Sequence, residues 1–173
     1  STTASGAQST AMGRLTTASG ISSLALGYST TASGHQSISA GNSSTASASY
    51  STSIGYGSVA SDFASVVIGQ YNSSGSSVTN NATSFNTANT AFVIGNGADS
   101  SNKSDAFKVM FNGDATVSND LTVSGDVVIS SDARLKSNIV SLGYTLSKLL
   151  QIDGKSYEMK GKQKIGVLAQ EIK

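Results

Sequence analysis

The sequence predicts a mainly β protein whose first part is a stacked solenoid. Three observations carry that prediction: an unbroken seven-residue repeat from Thr2 to Tyr71, a residue content unsuited to helix, and almost no charge. Aligned by sevens the stretch reads TTASGAQ, STAMGRL, TTASGIS, SLALGYS, TTASGHQ, SISAGNS, STASASY, STSIGYG, SVASDFA, SVVIGQY. The first place is always Ser or Thr, the third is small, and the fifth is Gly except at Ala48 and Asp62. The fourth place alternates between Ser5, Ser19, Ser33, Ser47, Ser61 and Met12, Leu26, Ala40, Ile54, Ile68, so the physical unit is fourteen residues used five times. A fixed period of this kind signals stacked units.

Heptads also build coiled coils, but a coiled-coil seam needs bulky apolar residues at two places and helix formers between them. Here Gly recurs in nearly every unit, at a cost of about 1 kcal/mol each relative to Ala in a helix interior. A strand of about five residues followed by a Gly-centred turn fits the content, two such strands making one coil. Strands stack about 4.8 Å apart, so five coils rise about 24 Å.

From Ser1 to Ala98 the only charged residues are Arg14 and Asp62, while nineteen more follow. Large apolar side chains are scarce in the repeats, which nevertheless lack the charge and Pro usual in disorder. Chains that share a core resolve this. Places two and four of a strand point to one face, and places one, three and five to the other. Small Ala then fills the narrow inside of a coil, and Leu24/Leu26, Ile38/Ala40 and Val66/Ile68 face neighbouring chains.

The units SLALGYSTTASG and STSIGYGSVASDFASVVIGQ resemble the head repeats of trimeric autotransporter adhesins, the YadA-like head. That resemblance implies a left-handed β-roll, three rolls packed around an axis, and an adhesive or shaft role. It fixes no particular receptor.

Residues 72–130 read as a β-rich neck. The polar tract NSSGSSVTNNATSFNTANT has no clear period. Three apolar runs follow, Ala91–Gly95, Ala106–Phe111 and Leu121–Ile129, separated by the Asn, Gly and Asp that turns need. From Ser131 the chemistry changes, with eight Lys or Arg against four Asp or Glu. Leu142, Leu146, Leu149 and Leu150 recur at helical spacing and Gly154 stands where the helix would end. KSYEM and KIGVLA then read as two strands joined by the turn GKQK. The domains expected are therefore a roll over 1–71, a neck over 72–130 and a small α+β segment over 131–173.

Ser131, Asp132, Arg134, Leu135, Lys136, Asn138 and Ile139, then Tyr157, then IGVLAQEI from Ile165 to Ile172, resemble the start of the endosialidase-type intramolecular chaperone of phage tail fibres. In that family the module trimerises the fibre and then cuts the chain just before the Ser. Carried over, the scissile bond is Ser130–Ser131, Ser131 is the nucleophile and Lys136 the base. The family continues through further helices beyond the counterpart of Lys173, so the opening half of the module is expected here. The start STTASG without Met marks a piece of a longer protein. Any enzyme activity is at most a single-turnover Ser/Lys endopeptidase acting on its own chain. The chemistry needs a Lys whose pKa is pulled down by burial or nearby cations such as Arg134. Taken alone, SDARLKSN reads as a turn entering a helix, with Asp132 as cap and Arg134 and Lys136 solvated, because a dyad is recognised by geometry rather than spacing; the surrounding family motif reverses that reading.

Other constellations are weaker. With no Cys there is neither a disulfide nor a thiolate metal site. His35 is the single His, a surface residue in a solenoid loop that three copies could bring around an ion. Asp114, Asp120 and Asp126 fit turn chemistry better than a calcium loop. Tyr28, Tyr50, Tyr56, Phe63 and Tyr71 fall at the sixth or seventh place, outside the strand, where they can stack on a sugar or protein receptor or pack the solenoid corners. No cofactor or metal site is expected. No basic stripe suits nucleic acid, and no apolar run approaches a membrane span.

The expected partners are two further copies of the chain and a cell-surface glycan or protein receptor. The expected location is extracellular: virion tail fibre, injection-system fibre or bacterial surface. Alternatives are a purely structural shaft and an ice-binding solenoid. Against the last, the second-place run Thr3, Thr10, Thr17 is interrupted by Leu24, Ile38, Val59 and Val66.

Overall fold

The computed structural model describes residues 1–125, 137, 154–159 and 162–166. It comprises two compact units, Ser1–Thr122 and Val123–Lys173. All described secondary structure is β.

The repeats wind into five coils, each giving one short and one long strand. These are β1 (Thr3–Ala4) and β2 (Thr10–Arg14), β3 (Thr17–Ala18) and β4 (Leu24–Tyr28), β5 (Thr31–Ala32) and β6 (Ile38–Asn42), β7 (Thr45–Ala46) and β8 (Thr52–Tyr56), β9 (Val59–Ala60) and β10 (Val66–Gln70). Odd strands form one parallel sheet and even strands another, with each residue opposite its equivalent fourteen positions on, as Leu24 is opposite Ile38.

Two equal strands of about five residues were expected; the short ones have two. After place three of the Ser register the next two amides converge on one carbonyl: Ser19 N and Gly20 N both donate to Ala32 O, at 3.0 and 3.2 Å. The chain therefore bends off the ladder at the Ser-Gly pair. In the other register an apolar residue at place four stays extended, and the following Gly keeps the chain in the sheet.

The interior is one small side chain deep. Ala18, Ala25, Ala32, Ala46 and Ala60 at place three are fully buried, as are Thr16, Thr30, Ser37, Ser44 and Ser51 at place one. Val67 and Val93 thicken the core at the last coil, against Ala60.

The turn geometry differs from a Gly-centred one. The left-handed residue is place seven in every heptad, from Gln8 (φ 59°) to Tyr71 (φ 40°), and only Gly57 among the ten is a glycine. From Ser22 on a ladder supports that conformation: each amide donates to the place-six carbonyl of the coil before, as Ser29 N to Arg14 O (2.9 Å) and Tyr50 N to His35 O (2.8 Å). At place five of the long strands glycine meets a positive φ, 95–139° from Gly13 to Gly69, and a second need. A Cβ on Gly13, Gly27, Gly41 or Gly55 would overlap the carbonyl oxygen of the next glycine in the column.

Beyond the roll, β11 (Thr90–Asn96) adds parallel to β10, and β12 (Asp105–Met110) and β13 (Ala115–Val117) follow antiparallel, completing an eight-stranded sheet. The third strand had been expected at Leu121–Ile129. Instead Asn112-Gly113-Asp114 reverses the chain at once, with Gly113 at φ 94° and its amide on Met110 O, so Ala115–Val117 meets β12 first. Residues 121–125 carry no strand, and 126–129 lie outside the described residues.

In the second unit, β14 (Lys155–Met159) and β15 (Lys162–Gly166) pair antiparallel, Lys155 opposite Gly166 and Met159 opposite Lys162. The second strand thus starts two residues before KIGVLA. The helix expected over Leu142–Leu150 lies outside the described residues.

Candidate interaction surface

Three outward features of the first unit could meet a partner, and the alternation at place four builds two of them. On the even-stranded sheet, places two and four stand out from the coil. They form two columns, Thr10, Leu24, Ile38, Thr52, Val66 and Met12, Leu26, Ala40, Ile54, Ile68. In the single chain Met12 is 64% exposed, Ile54 44%, Ile38 39% and Val66 37%. A contiguous exposed apolar face marks an interaction surface.

The odd-stranded sheet presents the opposite chemistry. Thr3, Thr17, Thr31 and Thr45 stack in register, closed by Val59, and Ser5, Ser19, Ser33 and Ser47 are exposed at place four. The interruptions seen in the sequence therefore belong mostly to the other sheet. Four coils carry an unbroken Thr column.

The coil corners hold the aromatic residues. Tyr28 and Tyr56 end β4 and β8 rather than lying outside strands; Tyr50, Phe63 and Tyr71 are in the connections. They pack mainly on one another, edge to face: His35 on Tyr50 (5.5 Å between ring centroids), Tyr50 on Phe63 (5.3 Å), Tyr56 on Tyr71 (5.0 Å). The Arg14 guanidinium sits 5.4 Å from the Tyr28 ring centre. A hydrogen bond with Tyr56, helped by partial burial, raises the Tyr71 phenol above its ordinary pKa. His35 and Tyr50 remain exposed.

Three polar residues outside the periodic pattern close the roll. The buried Asp62 carboxylate, at a place where most units have Gly, accepts from Thr79 N (2.7 Å) and Thr90 N (2.8 Å). The Asn72 amide pairs with both backbone groups of Val59, accepting from its N and donating to its O at 2.8 Å each, and so occupies the place of a next strand. Buried Asn89 accepts from Asn80 N and Asn81 N and donates to Asn81 O. None of the three was assigned this role from the sequence. The one signal was that Asp62 breaks the Gly column.

Ser130, Ser131 and Lys136 lie outside the described residues, as do Asp132, Arg134 and Asp126. Asp114 is a turn residue: its amide donates to Asn112 Oδ1 at 3.0 Å. Among the described residues no group of three His, Cys, Asp or Glu could hold a metal ion, and no helix is long and apolar enough to cross a membrane. Asp99, exposed in the loop after β11, has its pKa lowered by the Asn102 side-chain amide and the amides of Ser101 and Asn102.

Two family models match the chain. The YadA head domain repeat, a model of two copies, matches residues 4–30, 18–44, 32–58 and 46–72, each placement advanced by one coil. The chaperone of endosialidase matches residues 131–173. No curated protein and no solved structure gave a match. Residues 4–72 are thus similar to YadA head repeats and residues 131–173 to the endosialidase chaperone, in the order that the sequence motifs imply.

Proposed function

We propose that this chain is a segment of a homotrimeric surface fibre: a head over 1–71, a neck over 72–130, and over 131–173 the opening of a chaperone that drives trimerisation. The carrying observation is the pair of exposed apolar columns on the even-stranded sheet. A fibre of three chains covers them, and both family resemblances imply trimers. In this reading the fibre acts outside the cell, on a virion tail, an injection system or a bacterial surface, and attaches to a glycan or protein on a host or neighbouring cell. Light scattering should give three times the mass of one chain. A stable folded monomer would refute the shared core.

We further propose that, where the whole chaperone is present, the chain cuts itself between Ser130 and Ser131. The Ser131 hydroxyl attacks the carbonyl carbon of residue 130 as Lys136 Nζ takes its proton, and Lys136 returns that proton to the departing amine. This leaves an ester that water hydrolyses to release the module. Mass spectrometry of a chain carrying the complete module decides. Two fragments are expected from the parent, and one intact chain, still trimeric, from Ser131→Ala or Lys136→Ala. An intact parent that trimerises would reduce this region to a folding module.

One observation favours a second reading, ice binding: the unbroken Thr3–Thr17–Thr31–Thr45 column beside exposed serines. Thermal hysteresis separates the classes. Freezing-point depression that falls on Thr31→Val would select this reading, and no hysteresis would leave the fibre.

A further inference from the structure

The outward columns do not stop at the last coil. In β11, Phe92 lies opposite Val66 and Ile94 opposite Ile68. In β12, Val109 lies opposite Phe92 and Phe107 opposite Ile94, and in β13, Ala115 lies opposite Val109 and Val117 opposite Phe107. Residues directly opposite across a ladder share a face. The column headed by Thr10 therefore runs through Val66, Phe92 and Val109 to Ala115, and the one headed by Met12 through Ile68, Ile94 and Phe107 to Val117. Val93, between Phe92 and Ile94, points inward and is fully buried. No charged residue stands in either column across all eight strands. The region's charges take other positions: Lys108 lies opposite Val93, and Asp105 accepts from Ser73 N and Ser74 N.

We infer that the self-association face extends past the roll through β11, β12 and β13, burying Ile94, Phe107 and Val109 against a second copy of this chain. These strands lie outside both family matches. Continuity selects the occupant. One uncharged surface joins the columns assigned above to trimer contact, in register over Phe92–Ile94 between irregularities at Thr90/Phe92 and Ile94/Gly95, and a copy related by rotation about an axis along the roll meets β11–β13 as it meets β2–β10. In the single chain Phe92 and Phe107 cover each other only partly (6.2 Å between centroids), and Val117 stays 38% exposed at the sheet's end. The inference rests on the trimeric reading and adds that its interface is about 38 Å long, eight strands at about 4.8 Å each.

Val109→Lys tests it in the full chain, with Thr116→Lys on the opposite face as control, by sedimentation velocity over a concentration series. The expected result is at least a tenfold rise in the half-dissociation concentration for Val109→Lys and none for Thr116→Lys. The chain has no Cys, so a thiol can be placed on each face, and Val109→Cys should react with a thiol reagent at least tenfold more slowly than Thr116→Cys in the trimer. That rate decides the matter if Val109→Lys loses its β circular dichroism. Equal thiol rates in a confirmed trimer that Leu26→Asp dissociates would overturn the extension and leave the trimeric reading standing. A monomeric parent overturns both.

Discussion

The two sheets of the roll are cut from one heptad yet end in opposite ways. Both bury a Ser or Thr at place one and a small residue at place three, and both stack in register every fourteen residues. They differ at place four. Ser there bends the chain off the ladder and leaves a hydroxyl-bearing face, whereas Met, Leu or Ile keeps five residues extended and leaves an apolar one. The hydroxyl sheet is closed by side chains, with Asn72 standing in for a strand over Val59, while the apolar sheet continues into β11–β13. A parallel ladder needs only small interior residues to propagate, so its outer faces can diverge. Ending it needs a residue that breaks the period, because an open edge is a template for further pairing.

The largest effect should separate the two faces. Asp at Leu26 and Ile68 together is expected to abolish the trimer, since each substitution places three like charges at one level of the axis and an unpaired buried charge costs about 3–5 kcal/mol. Ser19→Asp with Ser33→Asp, at the equivalent places on the hydroxyl sheet, should leave the mass unchanged. Equal loss of mass in both pairs, by light scattering, would show that the sheets do not differ as contact surfaces.

The roll was legible because its information is periodic. Ten copies of one heptad average out local ambiguity, and the alternation at place four set the fourteen-residue unit, although the second-place residues of the two sheets were still read as one column. The turn was misread because glycine marks two unlike needs, a left-handed φ and a close approach. Here place five of the long strands needs both, whereas place seven, except at Gly57, meets the first without glycine. Past Tyr71 each contact is made once. The pairing of Asp62 with Thr79 and Thr90 leaves no spacing to find, and Leu121–Ile129 alternates like a strand although Asn112-Gly113-Asp114 had already placed β13.

Gly41→Ala should show the next largest effect. The position lies at φ 120°, and the added Cβ meets the Gly55 carbonyl, which cannot move without shifting a whole coil. Strain of about 1–3 kcal/mol and overpacking of similar size together predict a loss of about 4 kcal/mol in chemical unfolding. Hydrogen exchange should locate it in β6 and β8. Protection lost instead across the hydroxyl sheet alone would mean that the two ladders do not stack independently.

Asp62→Ala should cost about 2–3 kcal/mol, leaving the amides of Thr79 and Thr90 without their charged acceptor. The effect should be asymmetric: faster exchange at β9 and residues 79–90, and unchanged protection in β2–β6. An even loss along the roll would remove the distinction between a capped sheet and a continuing one.

The smallest effect tests the corners that both sheets share. Ser43 holds φ 54°, its amide bonded to Tyr28 O at 2.9 Å, and its hydroxyl reaches only the neighbouring Asn42 side chain. Left-handed backbone costs a residue with a Cβ about 1–2 kcal/mol, and glycine gives back about 0.5–1 kcal/mol through its freer unfolded chain. Ser43→Gly should therefore stabilise by about 0.5 kcal/mol, and a glycine, Gly57, stands at the equivalent place one coil on. Ser43→Val should destabilise by about 1–2 kcal/mol, since a β-branched residue is a genuine outlier there. Opposite signs in thermal melts of the two variants would establish that the ladder, and not the side chain, holds place seven left-handed. A destabilised Ser43→Gly would instead assign the corner to the Ser43–Asn42 contact.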